Sequence, residues 1–400
     1  MQHYSIVVAI CRAALQVENP AISGHVERLI KALEKDEEVD QVAGLKKLLQ
    51  AKKKNIEILP SRVILSSNAL SGEQLIPTVK APVDRETSAP LAEIIFPKAK
   101  PITLPIFESG LASSINNILD EWKHVDKLKM KGIEPALSLM LFGAPGTGKT
   151  LLAHHIGETL GLPIIVARLD GLLSSFLGTT ARNIANLFAF ANRYKCILLL
   201  DEFDAIAKLR DDPNELGELK RVVNTLLQCL DERSKIGFTM AITNHELLLD
   251  SAIWRRFDLR IEIPKPVALA RRTMLQNHFN DLIKITDVQL DFLVWLSKGY
   301  SGSDIEKLAF FIQRKIAILD KEFHFLETIK EYLRLNANTN SNDRKQKVLS
   351  SPEELAQVLS HDTELGFSQM KIAQLFGVTQ PKISKMLNSN KEALLHKPSL

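Results

Sequence analysis

An α/β core built on a parallel sheet, followed by a helical unit and carrying further helical units toward both ends, is the architecture this sequence predicts. Three observations lead to it. Between residues 137 and 264, five short apolar runs alternate with helical patterns, as parallel strands joined by helices do. After Pro266 the strand-like runs stop, and apolar residues recur only at three- and four-residue steps. The same helical period marks residues 1–56 and 351–400.

Taken in order, residues 1–56 hold three amphipathic patterns, MQHYSIVVAICRAALQ, AISGHVERLIKALEKDEE and VDQVAGLKKLLQAKKK, expected to form an N-terminal helical bundle. No basic leader precedes the first, and Arg12 interrupts it, so a buried helix is expected rather than a signal peptide. Lys46, Lys47, Lys52, Lys53 and Lys54 read either as a solvated helix face or as a nucleic-acid contact, the solvated face being the default. Residues 57–105 contain seven prolines and only short apolar runs, and predict an extended linker with one or two strands. Residues 106–265 are the α/β unit, with strands at LSLMLF, LPIIVARL, CILLLD, FTMAITN and LRIEIP. Residues 266–335 form the helical unit behind it, 336–350 are polar and expected as a tether, and 351–400 close the chain as a separate helical domain.

The composition, 45% hydrophobic, 24% charged and 6% aromatic, is that of a soluble globular protein. A formal charge of +4 over 400 residues makes no general case for nucleic-acid binding, so any such case is local. Cys11, Cys196 and Cys229 are widely spaced, without a C-x-x-C pair, which argues against a disulfide framework or zinc site and fits a reducing cytoplasm. No run of about 18 apolar residues predicts a membrane span.

GAPGTGKT satisfies G-x-x-x-x-G-K-S/T between an apolar strand and a helical pattern. Gly143, Ala144, Pro145, Gly146, Thr147 and Gly148 let backbone N–H groups approach a polyphosphate, and the helix opening at Lys149, Thr150 and Leu151 favours its charge. Lys149 is expected at the β and γ phosphates of ATP and the Thr150 hydroxyl at magnesium. The α/β unit is thus expected to be a P-loop NTPase sheet, with the helices after Pro266 as a separate small domain behind it. In CILLLDEFD, carboxylates ending a buried strand need a cation, so Asp201 is expected to hold Mg2+ and Glu202 to act as general base. Asp204 is left between a helix cap and a contact to a neighbour. Asn244, ending FTMAITN, either orients the attacking water and senses the γ-phosphate or simply forms a turn. Arg255 and Arg256 stand in tandem in LDSAIWRRFD, and an arginine delivered to a transferring phosphoryl group is worth roughly 10³–10⁵ in rate.

These residues resemble the AAA branch of the AAA+ ATPases, which includes proteasomal ATPases, membrane-anchored AAA proteases, katanin and spastin. The resemblance covers roughly residues 105–320 and rests on GAPGTGKT, LLLDEFDAIA, the stretch from RVVNTLLQCLD through AITN to LDSAIWRRFD, and GYSGSDIEKL. It implies ATP hydrolysis in a homo-oligomeric ring, usually a hexamer, with Asn244 as sensor 1 and Arg255 and Arg256 reaching the neighbouring subunit's site. It also implies that the helices after Pro266 are a lid on the nucleotide site and that the lid's Ser301, Gly302 and Ser303 line the nucleotide pocket. LPIFESGLASSINNILDEW replaces the usual segment ahead of the phosphate loop, so the adenine contacts are not assigned. No H-E-x-x-H pattern comes after the ATPase module, and proteolysis would need a separate partner. Phe176, Leu177 and Gly178 resemble the loop with which such rings grip a protein client in the pore; the alternative is a core phenylalanine.

The closing GFSQMKIAQLFGVTQPKISKML has helix-turn-helix spacing, with Ala373 at the crossing, Gly377 at the turn and Thr379 placed to cap the second helix. Gln380, Lys382 and Lys385 remain outward as candidate DNA contacts, and no acid occurs between residues 366 and 387. Three readings are open. The first is an ATP-driven remodeller of protein clients, the second a DNA-associated regulator, and the third a nucleotide-gated assembly platform.

Overall fold

The structure, a computed structural model, describes residues 72–98, 105–168, 172, 177–207, 216–234, 236–246, 249, 251–279, 284–336 and 343–395. The expected N-terminal bundle, its lysine run, Cys11 and Phe176 lie outside them.

The five apolar runs fold as strands β3 (Ser138–Phe142), β4 (Ile164–Ala167), β6 (Ile197–Leu200), β7 (Thr239–Thr243) and β8 (Leu259–Glu262). With β2 (Ala92–Ile95) they make a sheet in the order β2-β4-β6-β7-β3-β8. All neighbours are parallel except β2, which runs antiparallel to β4 with Ala92 opposite Ala167. Because alternate side chains of a strand face opposite ways, each strand feeds two cores. Leu139 and Leu141 join Ile115, Leu119 and Trp122 of α1 (Ser109–Lys123) and Leu152 and Ile156 of α3 (Lys149–Leu160), while α2 (Val125–Met130) adds Val125. Met140 points into the other core, with Ile184, Leu187 and Phe188 of α4 (Leu177–Arg193) and Val222, Leu226 and Leu230 of α6 (Leu216–Arg233). Two short helices, α5 (Asp204–Ala207) and α7 (Ser251–Trp254), come after β6 and β7. Each large apolar residue removed from water contributes about 1.5–3 kcal/mol, which is why the central strands read as unbroken apolar runs.

The proline-rich segment holds the one or two strands expected of it and, beyond that, contributes to the core. Leu75, Leu91 and Ala92 are buried in the core shared with α4 and α6. The edge strand β2 lies between Pro90 and Pro97, and a short strand, β1 (Glu73–Gln74), pairs with β5 (Tyr194–Lys195). Proline lacks an N–H and is tolerated at the ends of an edge strand, so the residues that suggested a linker are those that bound the strand.

The lid comprises α8 (Ala268–His278), α9 (Asp287–Leu296), α10 (Gly302–Leu319) and α11 (Phe325–Leu335). Capping boxes at Thr286/Gln289 and Ser301/Asp304 start α9 and α10. The C-terminal helices are α12 (Asp343–Leu349), α13 (Pro352–Ser360), α14 (Gln369–Phe376) and α15 (Gln380–Leu395). Between α14 and α15 the chain turns at Gly377, whose φ of 63° is left-handed.

The closing helices are not a separate body. Val348, Leu355, Leu359, Phe367, Ile372 and Ile383 share one apolar core with Trp295, Leu296 and Tyr300 of the lid. Charged groups ring this joint: the Lys371 ammonium lies 3.0 Å from Asp291, which also pairs with Arg272. Arg344 donates to the Trp295 carbonyl at 2.7 Å and pairs with Glu364 at 3.3 Å. The stretch read as a polar tether thus ends in a helix, α12, whose Arg344 and Val348 are part of the joint; its polar composition reflects ion pairing as well as solvent.

Candidate functional site

The candidate residues gather beyond the C-terminal ends of β3, β6 and β7, where parallel α/β sheets place their sites. After Phe142 the chain passes close under β8, so that a Cβ on Gly143 (φ 134°) would lie 2.4 Å from the Ile263 carbonyl oxygen. The loop then closes onto α3, whose N-terminal N–H groups and dipole suit an anion. Lys149 Nζ donates to the carbonyls of Gly143 at 2.8 Å and Ala144 at 2.7 Å, and Thr147 Oγ1 donates to Ala144 at 3.0 Å. Burial lowers the pKa of Lys149, opposed by the carboxylates of Asp201, Asp204 and Glu246. A buried ammonium hydrogen-bonded to loop carbonyls is suited to a polyphosphate, which offers charged oxygens in their place.

Thr150 Oγ1 donates to Asp201 Oδ2 at 3.1 Å, and the other Asp201 oxygen accepts from the Glu202 N–H at 2.8 Å. A hydroxyl and a carboxylate converging beside a phosphate loop fit Mg2+, which takes one or two protein oxygens and completes its shell with phosphate and water. Glu202 is exposed and left-handed at φ 51°, a conformation that costs a non-glycine residue about 1–2 kcal/mol. Strain of this kind persists where the surroundings over-determine it. Here the Glu202 carbonyl accepts from Ala205, and Phe203 N–H donates to Ile242 of β7 at 2.8 Å.

At the tip of β7, Thr243 is fully buried and Asn244 half-buried. The Asp204 carboxylate accepts from Thr243 Oγ1 at 3.3 Å and from the Asn244 N–H at 3.5 Å. The lid meets the loop directly: Ser303 N–H donates to the Gly146 carbonyl at 3.1 Å, and a Cβ on Gly146 would lie 2.4 Å from Ser303 Oγ. Gly302 approaches the same carbonyl, which a Cβ there would meet at 3.2 Å. On the other side, a Cβ on Gly148 would lie 3.7 Å from Pro105, in the segment whose contacts the sequence left unassigned.

Arg255 and Arg256 do not join this group within the chain. The Arg256 carbonyl accepts from Ser138 Oγ, at the start of β3, whereas the phosphate loop comes after its end. A strand of that length spans about 16 Å. Arg256 forms a two-pronged pair with Asp231 at 3.1 and 3.3 Å and donates to the Ala252 carbonyl, while Arg255 is exposed. Leu177 and Gly178 open α4. Gln380, Lys382 and Lys385 are exposed on α15, with Ile383 buried between them.

Sequence reading missed the Asp204–Thr243 contact, the Asp231–Arg256 pair and the seating of Ser303 on Gly146. A partial signal existed for the first, since Asp204 stands beside Asp201 and Glu202 in one short turn, but its partner lies 39 residues away.

The model of the family described as "ATPase family associated with various cellular activities (AAA)" matches residues 139–265. Over 283 residues the chain is 32% identical to an uncharacterized AAA family ATPase of Sinorhizobium fredii, covering 69% of this chain and 82% of that protein. It is 38% identical over 186 residues to proteasome-activating nucleotidase 2 of Haloferax volcanii, covering 44% of this chain and 45% of that protein. A crystal structure of the FIGL-1 AAA domain in complex with ADP superposes with a TM-score of 0.49 at 20% identity, covering 63% of this chain and 90% of that one.

Proposed function

Because the chain belongs to the AAA family of ATPases, we propose that it is the subunit of a homo-oligomeric ring, a hexamer, that uses ATP hydrolysis to remodel or unfold protein clients. The observation that carries the reading is the convergence of Lys149, Thr150, Asp201 and the Asn244 backbone at the ends of β3, β6 and β7. In the hydrolytic step Lys149 exchanges its loop carbonyls for the β and γ phosphates, and the α3 N-terminus holds the remaining charge. Thr150 and Asp201 would hold Mg2+, which when bound offsets negative charge on the phosphates. Glu202 takes the proton of the attacking water, and the Asn244 amide orients that water toward phosphorus. Because Ser303 is seated on Gly146, the lid senses whether the loop is occupied. Arg255 and Arg256 act on the neighbouring subunit's nucleotide, since their own loop lies at the far end of β3.

Glu202→Gln keeps the shape of the site and removes the base. Hydrolysis is expected to fall by roughly 10²–10⁴ with ATP binding and assembly retained; turnover at the unmodified rate would overturn the assignment. Similarity to a proteasome-activating nucleotidase supports a protein client, gripped through Phe176, Leu177 and Gly178, and no protease activity is assigned to this chain. Phe176→Ala should keep ATPase activity and lose unfolding of a tagged model substrate, whereas retained unfolding would rule out the grip.

The exposure of Gln380, Lys382 and Lys385 on α15 favours a second reading, duplex DNA as a partner. One or two base contacts at about 1–3 kcal/mol each bind weakly at physiological salt. Several copies on a ring would gain by effective concentration, so DNA affinity should depend on ATP-driven assembly. Equal and negligible binding of the Glu202→Gln protein with and without ATP would exclude it, and would leave the slow assembly platform as the alternative to the motor. The cysteine pattern supports the cytoplasm as the compartment, and no helix among the described residues is long and apolar enough to cross a membrane.

A further inference from the structure

We propose that Asp204 and Thr243 form a clamp that fixes the spacing between Glu202 and Asn244, making Asp204 a positioning residue for hydrolysis. The inference rests on the reading of Glu202 and Asn244 given above. Those two residues sit on different elements. Glu202 is on the turn after β6, Asn244 is at the tip of β7, and attack on phosphorus needs both within hydrogen-bonding reach of one water.

The ladder between β6 and β7 ends before either residue, with Leu200 opposite Ala241 as its last pair. Beyond it three contacts continue the join. Phe203 N–H donates to the Ile242 carbonyl at 2.8 Å, Thr243 Oγ1 donates to Asp204 at 3.3 Å, and Asn244 N–H donates to the same Asp204 oxygen at 3.5 Å. Thr243 Oγ1 also accepts from the His245 N–H at 3.1 Å, so the backbone is held on both sides of Asn244. Asp204 is only 7% exposed and Thr243 fully buried. A carboxylate so far removed from water is retained at a cost unless its contacts do something in return. The same turn holds the left-handed Glu202, so one buried group ties down the strained base and the amide together. A cap on α5, the other reading of Asp204, would not account for its contacts to Thr243 and the Asn244 N–H.

The test is steady-state ATPase kinetics on the full chain with a parallel measurement of nucleotide affinity, for Asp204→Ala, Thr243→Val, the double variant, Asp204→Asn and Asn244→Ala. Small misplacement of reacting groups costs up to about 10²-fold. Asp204→Ala and Thr243→Val should each lower kcat by roughly 10- to 100-fold while affinity stays within about threefold. The double variant should be no slower than the worse single, because the two residues act as one unit. Asp204→Asn keeps an acceptor for the threonine and should recover most of the rate. If Asp204→Ala does not fold, Thr243→Val and Asp204→Asn carry the comparison. A slow Asn244→Ala beside clamp variants at the unmodified rate would overturn the clamp alone. An unaffected Asn244→Ala would overturn the reading of Asn244, and the clamp with it. Loss of affinity equal to the loss of kcat would make Asp204 a structural brace and likewise defeat the proposal.

Discussion

Gly146 shows how much a single residue decides. Its φ of 74° is left-handed, and an added Cβ would meet Ser303 Oγ at 2.4 Å and Ser301 Oγ at 2.8 Å. Gly146→Ala therefore adds about 1–2 kcal/mol of backbone strain and pushes the lid off the loop. ATP affinity measured by titration should fall roughly tenfold, and Ser303→Ala in the same protein should restore part of it. At Cys229 burial decides instead. Together with the Glu232 charge, it pushes the thiol up to about 11. At pH 8 its thiolate fraction is then on the order of 10⁻³, against about 0.2 for an ordinary cysteine. Alkylation of Cys229 followed by mass spectrometry should be slow, and labelling at the rate of a free thiol would contradict its packing.

Between elements, the joint of α12–α15 with the lid supports the stronger prediction, because it fuses two domains that look separate in the sequence. Removing residues 343–400 would uncover Trp295, Leu296 and Tyr300 of the lid. The expected result is a lid that melts early and a raised KM for ATP, rather than a selective loss of partner binding; limited proteolysis with and without nucleotide checks it. Asp291 anchors this joint from α9. Against the opposing effect of burial, Arg272 and Lys371 hold its carboxyl below the usual range. A depressed carboxyl stabilises fully above its ordinary value near 3.8 and loses that contribution as pH falls below it. Asp291→Ala leaves two cations facing each other and should cost about 3 kcal/mol in thermal or urea unfolding. Little of this was legible, since Lys371 lies 80 residues from Asp291 and no local pattern links them. The strands of the core were legible for the opposite reason: burial on both faces writes itself into consecutive residues such as ILLL and TMAIT. In the proline-rich segment a strand was legible but its pairing was not, because the four residues of β2 carry no signal that they lie against β4.

For the whole molecule, the separation of Arg255 and Arg256 from their own phosphate loop has a direct test. A Lys149→Ala chain and an Arg255→Ala/Arg256→Ala chain should each be inactive alone. Mixed, they should regain ATPase activity if, as proposed, an intact loop on one subunit meets intact arginines on the next; no recovery would mean that the arginines act within one chain. The sequence by itself determined the five parallel strands, the helical character of residues beyond Pro266, and the residue types of the phosphate loop and the acidic strand end. These depend on neighbours in the chain, and period, spacing and backbone freedom are local properties. Only the tertiary structure decided that the proline-rich segment completes the sheet, that the closing helices share the lid's core, and that Asp204 reaches Thr243. Each of those is a contact between distant stretches, and its energy resides in burial and pairing that no single stretch of sequence contains.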